Sequence, residues 1–289
     1  MQRSSSKLSL LVVLFLLTPG CVSLGLEFSP SLISHLTQAF FEECDPQLAE
    51  RSLPAELKLM EGLLKSAPDN RRLLTALCVG FTGYAMLFVE EDSPERASQL
   101  YLRAKEYGLK AMGRNGSLLK AVGQSKESIT KALRATGKED LEPLFWTTLS
   151  WNAWINLNLD KPAALAQLAI AESCLERVLE LEGGYFYGTP YVLMGTILAS
   201  KPKMLGGDPA RAKEYFEKAV SLTRGKFLLA PYYFARYYAV RAQDKALFNE
   251  LIREIASTRP DDLKEACLIN AVMKKKAEQL KEKSEELFF

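Results

Sequence analysis

From about Pro30 to Leu287 the apolar residues recur at intervals of three and four with almost no strict alternation, as in helices that each bury one face. The sequence therefore predicts an all-helical chain. Breaks fall at Ala67-Pro68-Asp69-Asn70, Asp92-Ser93-Pro94, Asp160-Lys161-Pro162, Gly183-Gly184, Gly206-Gly207-Asp208-Pro209 and Arg259-Pro260-Asp261. Several set an Asp or Ser ahead of a proline, a pairing that caps and starts a helix. The Gly206-Gly207-Asp208-Pro209 run launches a helix over Ala210 to Leu222, and without a Walker ending or a preceding strand it is no phosphate loop.

Three segments share one seven-step frame: Ala97, Tyr101, Ala104; Ala171, Leu175, Val178; and Ala212, Phe216, Ala219. Glu56, Met60 and Leu63, followed by Pro68, form a looser fourth. Their starts lie 41, 74 and 41 residues apart, a spacing like that of tetratricopeptide helix pairs of ~34 residues with insertions. Small residues let neighbouring helices approach, the larger one fills the hole, and stacked pairs bury a core that one pair cannot close. The fold class expected is all-α, a degenerate tetratricopeptide-like helical repeat or α-solenoid over residues 31–289. An irregular helical domain is the alternative.

Aromatic residues cluster. Trp146, Trp151 and Trp154 fall on one helix, Tyr185, Phe186, Tyr187 and Tyr191 follow the Gly183-Gly184 break, and Tyr232, Tyr233, Phe234, Tyr237 and Tyr238 crowd another helix. Spacings of three and four make stripes of them. Core packing explains such stripes in general, yet tyrosine and tryptophan carry polar atoms that favour an edge near water. Trp146, Trp154, Tyr187, Tyr191, Tyr233 and Tyr237 are therefore the candidate lining of a cleft for an apolar ligand or a partner protein, with a plain core role as the alternative.

The N-terminus changes the picture of where the chain works. Arg3 and Lys7 precede an apolar run, Leu8 to Leu17, which stops at Thr18-Pro19-Gly20, too short to span a bilayer but right for a signal peptide. Leu17-Thr18-Pro19-Gly20-Cys21 resembles a bacterial lipobox, so residues 1–20 read as a signal peptide, Cys21 as the lipidated residue, and 21–30 as a short tether. An ordinary secreted protein cut nearby is the alternative. Removing residues 1–20 takes two of the 37 basic residues and none of the 35 acidic ones, leaving 35 of each. That balance argues against a nucleic-acid footprint or a polybasic membrane patch. Lys274-Lys275-Lys276, followed by Glu278 and Glu282, reads as a solvated helix face.

Cys44, Cys78, Cys174 and Cys267 are widely spaced and form no CxxC pair, so buried free thiols are expected although an exported compartment permits disulfides. His35 is the single histidine, on an amphipathic segment where a surface or packing role is expected. Zinc and a histidine-assisted nucleophile both lack residues, and nothing calls for a metal or cofactor.

Residues 144–255 resemble the TRAP-transporter-associated tetratricopeptide lipoproteins, the T-component (TatT-like) family. The likeness rests on Phe145-Trp146, Trp151-Asn152-Ala153-Trp154-Ile155-Asn156-Leu157, Asp160-Lys161-Pro162, Gly188-Thr189-Pro190-Tyr191, Leu205-Gly206-Gly207-Asp208-Pro209, Tyr215-Phe216-Glu217-Lys218-Ala219 and Tyr232-Tyr233-Phe234-Ala235-Arg236-Tyr237-Tyr238, together with the lipobox. The resemblance implies a periplasmic, lipid-tethered, non-enzymatic accessory protein of a tripartite ATP-independent periplasmic (TRAP) transporter. It also implies a homotrimer that docks the substrate-binding P-component and holds or passes a hydrophobic ligand. A repeat scaffold for assembling or maintaining envelope proteins is the competing reading.

Overall fold

A computed structural model describes residues 30–113, 118, 121 and 124–288. The signal peptide, Cys21 and nearly all of the tether lie outside the described residues. Among those described there is no strand, and the architecture is an all-α helical repeat fold. In chain order the longer helices are α1 (Pro30–Glu42), α2 (Pro46–Ser66), α3 (Arg71–Tyr84), α4 (Pro94–Ala111), α5 (Lys126–Ala135) and α6 (Leu141–Asn156). There follow α7 (Leu168–Glu182), α8 (Tyr185–Ser200), α9 (Pro209–Thr223), α10 (Leu229–Tyr233), α11 (Lys245–Ser257) and α12 (Cys267–Glu282). Two of them run on into π-helical turns, α3 into Ala85–Val89 and α10 into Phe234–Ala239.

The boundaries obey local chemistry. Asp45 accepts from the backbone N–H of Gln47 and Leu48 ahead of α2, Asn70 from Leu73 ahead of α3, and Asp208 from Arg211 ahead of α9. Each satisfies a donor that the first turn of a helix leaves unpaired. Proline in the first turn of α2, α4 and α9 presets the helical φ there.

Consecutive helices pack on one another, α2 on α3, α3 on α4, α6 on α7 and α8 on α9, while α3 and α6 also meet directly. α3 and α6 form an inner layer. Every residue from Leu73 to Tyr84 is buried, as is every residue from Pro143 to Asn152. Arg71–Val89 is long and apolar enough to cross a membrane, but 89% of its most apolar window lies inside the protein, which makes it a core helix. Gly108 of α4 permits the closest of these approaches: a Cβ there would stand 2.0 Å from Thr147 Oγ1 of α6 and 2.9 Å from Cys78 Sγ of α3.

All nine residues of the three strong repeat frames are fully buried, Ala97, Tyr101 and Ala104 on α4, Ala171, Leu175 and Val178 on α7, and Ala212, Phe216 and Ala219 on α9. The fourth frame is displaced. Glu56 and Leu63 are only half-buried, and Leu53, Leu57 and Met60 hold the same spacing in the core three residues earlier. A three-residue shift rotates a helical position by only about 60°, so the apolar stripe alone does not fix the frame.

The stack also closes on itself. α12 packs against α1 and α2, and α1 against α3. Cys44, just after α1, forms a disulfide with Cys267 at the start of α12, bridging 223 residues of sequence. The expectation of four free thiols is thus corrected for this pair: wide sequence spacing is no obstacle once the two ends of the stack meet. Cys78 and Cys174 are free and buried, and burial pushes both thiols up to about 12.

Candidate functional site

The later halves of α3, α6 and α8 converge with α4 and α10 around a cavity of about 410 Å³. Its wall is mostly aliphatic: Met86 from the α3 turn, Leu149 and Ile155 from α6, Leu193 and Ile197 from α8. Leu159, Leu165 and Leu205 rim it and are exposed, Leu205 to 70%. Met204 beside Leu205 is 96% exposed. Such apolar surface at the mouth of an apolar cavity is uncommon unless something covers or enters it.

The two π turns border this cavity, one supplying Met86 and the other Tyr237. A π turn inserts a residue into a helix and re-aims the side chains beyond it, and such turns collect at functional sites. Glu90 just after the first turn and Tyr237 within the second meet Tyr101 of α4 and Tyr233 at the end of α10 at one end of the cavity. Tyr233 and Tyr237 lie ring to ring, 5.2 Å between centroids. The Tyr101 hydroxyl donates to Glu90 Oε2.

Burial raises the Glu90 carboxyl above its ordinary range, against the opposing pull of the Tyr101 hydrogen bond and of Lys276 and Arg236. Neighbouring Glu91 behaves oppositely. Burial again pushes its carboxyl up, but Lys276 at 3.2 Å and Arg236 at 3.0 Å outweigh that and hold it below the usual value. Arg236 also donates to the Tyr232 hydroxyl, 2.8 Å. At the mouth, Lys201 is paired with Glu172.

The six aromatic candidates do not share one wall. Tyr233 and Tyr237 stand together in this cavity. Trp146 is 2% exposed and packs in the core against Phe41, Phe145 and Phe186. Trp154 is 8% exposed, with the Lys105 ammonium 5.2 Å from its ring centre. Tyr191 is half-buried, stacked on Tyr215 and covered by Lys218 at 4.3 Å. Tyr187 lines a second cavity of about 580 Å³ at the opposite end of α3, α6 and α8, with Phe41, Arg71, Arg72, Glu139 and Glu142. Sequence reasoning missed the aliphatic wall and Glu90. It had placed Tyr101 in the repeat frame and singled out neither Glu90 nor Glu91.

Among the described residues no group of three or more histidines, cysteines or acids is placed to hold a metal. The model of the family described as TRAP transporter T-component matches residues 42–288. The chain belongs to the TRAP transporter T-component family. As a T-component it has an accessory role in TRAP transport, and the family is one of extracytoplasmic, membrane-associated proteins. An uncharacterized protein of Treponema pallidum (strain Nichols) is similar along most of its length, 26% identical over 271 residues that cover 87% of this chain and 83% of that protein.

Proposed function

We propose that this T-component is a non-enzymatic periplasmic lipoprotein, anchored through Cys21, that docks the solute-binding P-component of its transporter and holds a hydrophobic ligand in the cavity between α3, α6, α8 and α10. The observation that carries this reading is the cavity itself: aliphatic on most of its wall, aromatic at one end, rimmed by exposed leucines, and of a volume that suits a small ligand. Assembly into a homotrimer of tetratricopeptide-type subunits belongs to the same reading and rests on the family. Within it, Tyr233 and Tyr237 touch ligand, Trp146 and Trp154 serve as buried packing, and the half-buried Tyr187 and Tyr191 offer surface to a partner.

The test is direct. The protein purified from membranes is extracted with organic solvent and the extract analysed by mass spectrometry, and its binding to the P-component encoded with it is measured by calorimetry. A stoichiometric apolar molecule is expected, and the double variant Tyr233→Ala, Tyr237→Ala is expected to lose it while keeping its helical content. An empty wild-type protein that also ignores the P-component would overturn the reading. Intact mass decides the anchor: an unmodified Cys21, or a mature chain starting elsewhere, would remove the lipoprotein from the proposal.

A further inference from the structure

We propose that the cavity takes amphiphiles with a cationic head, an ammonium or quaternary ammonium group seated between the Glu90 carboxyl and the rings of Tyr233 and Tyr237, with the apolar body along α6 and α8. This rests on the reading of the cavity as a ligand pocket and names the class of ligand.

The argument begins with a charge that lacks its counter-ion. Among the described residues Glu90 forms no salt bridge, and the two cations in its vicinity, Arg236 and Lys276, both bind Glu91 instead. Tyr101 supplies Glu90 with a hydrogen bond but no charge. A carboxylate half-buried in an apolar wall is unfavourable until a cation joins it.

The surroundings select the kind of cation. Tyr233 and Tyr237 both line this end of the cavity, the Tyr237 ring already drawing the Arg236 guanidinium to 5.5 Å from its centre, and aromatic rings attract ammonium and quaternary ammonium groups in the same way. Leu149, Ile155, Leu193 and Ile197 make the remaining wall mostly aliphatic, with Asn152, Asn156 and Thr196 set among them, so the remainder of the ligand is mainly hydrocarbon. An anionic head would meet Glu90 with like charge, and a neutral head would bring it no counter-ion. Lys201 at the mouth is neutralised by Glu172 and does not bar a cation's entry.

Calorimetry with n-decylamine, decyltrimethylammonium, n-decanol and decanoate, each below its micelle concentration, tests the assignment on wild type and Glu90→Gln. Both cations are expected to bind wild type about tenfold or more tighter than decanol, the scale of one buried charge-assisted contact. Glu90→Gln should abolish that advantage and leave decanol unchanged. Tyr237→Leu should weaken decyltrimethylammonium more than decanol, which gives a second reading if Glu90→Gln folds poorly.

The advantage should also fade as pH falls and Glu90 takes up a proton. The other groups facing it are Lys276; Tyr101, Tyr233, Tyr237 and Arg236, each raised above its ordinary value; and Glu91, held low by its two cations. Decanoate binding as well as decylamine, or cations binding no tighter than decanol, overturns the cationic assignment while leaving the pocket intact. If none of the four binds, the pocket reading falls and the assignment with it.

Discussion

The two cavities sit at opposite ends of the same three helices, and their chemistry differs completely. α3, α6 and α8 each give early residues to the second cavity and late residues to the first, so the three run in the same direction. At the early end Arg71 bridges Asp140 at 2.5 Å and the Glu139 carbonyl at 2.6 Å, and charged groups ring the opening. At the late end the wall is aliphatic and the backbone is reshaped by π turns. Charged residues gather where helices begin and need caps, whereas the π turns lie deep in continuous apolar segments. Both ends leave a cavity, but one opens among charged groups and the other among aliphatic ones.

The early end also carries the staple and the aromatic plug. Phe186, Tyr187 and Gly188 have left-handed φ of 44°, 58° and 81°, a conformation that costs about 1 to 3 kcal/mol for each non-glycine residue and is sustained only by dense surroundings. Phe41, Phe145, Trp146 and Phe227 supply that density around Phe186. The sharpest way to break the comparison is therefore Trp146→Ala, which should lower stability by about 3 to 5 kcal/mol, whereas Tyr237→Phe at the other cavity should leave the denaturation midpoint nearly unchanged. Equal losses from the two would show that both ends serve packing alike.

Next in size is the disulfide. Replacing Cys44 and Cys267 together with serine should destabilise by about 2 to 5 kcal/mol, since the bond closes a very long loop in the unfolded chain. Hydrogen exchange should rise first in α1, which lines the second cavity, and at the start of α12, and last at Tyr233 and Tyr237. Early exchange around the first cavity would mean that the staple supports the whole ring rather than one end.

Between the two ends the repeat frame is the common scaffold, and Ala219→Phe probes it. The position is fully buried on α9, and the extra volume should cost about 1 to 3 kcal/mol, read as a lowered melting temperature. An unchanged melting temperature would mean that the frame is not what holds α9 to α8.

How much of this could be read from residues alone follows the same divide. Caps and prolines announce helix starts locally, so Asp208-Pro209 predicts α9 almost to the residue, observed at Pro209–Thr223. Seven-step frames report burial faithfully where the flanking positions are alanine, as at Ala97 and Ala104, and slip where a helix such as α2 offers two adjacent apolar stripes. Closure of the stack is non-local, and nothing near Cys44 in sequence hints at Cys267. The first cavity was half legible: the tyrosine stripe marked Tyr233 and Tyr237, but Glu90 follows one π turn and Tyr237 sits within another, and Tyr101 reaches them from α4. No spacing rule of 3.6 residues foresees that.

The smallest effect expected concerns the charge that distinguishes the first cavity. Glu90 has a folded-state pKa raised by burial, so in the window above the ordinary carboxylate value the folded chain holds a proton that the unfolded chain has released. Stability linked to Glu90 therefore falls as pH rises through that window and is recovered as pH falls through it. Glu90→Gln removes the linkage, and the variant should gain melting temperature over wild type at pH 8 but not at pH 4. Glu142 at the second cavity is likewise raised by burial, opposed by Arg71, yet its side chain is exposed, so solvent screens it and Glu142→Gln should shift the profile less. A decylamine-saturated wild type offers the complementary reading, because a bound cation lowers the Glu90 pKa and should flatten the same pH dependence that Gln removes. If Glu142→Gln instead moves the profile more than Glu90→Gln, the uncompensated charge lies at the early end of the helices and the assignment of the two cavities reverses.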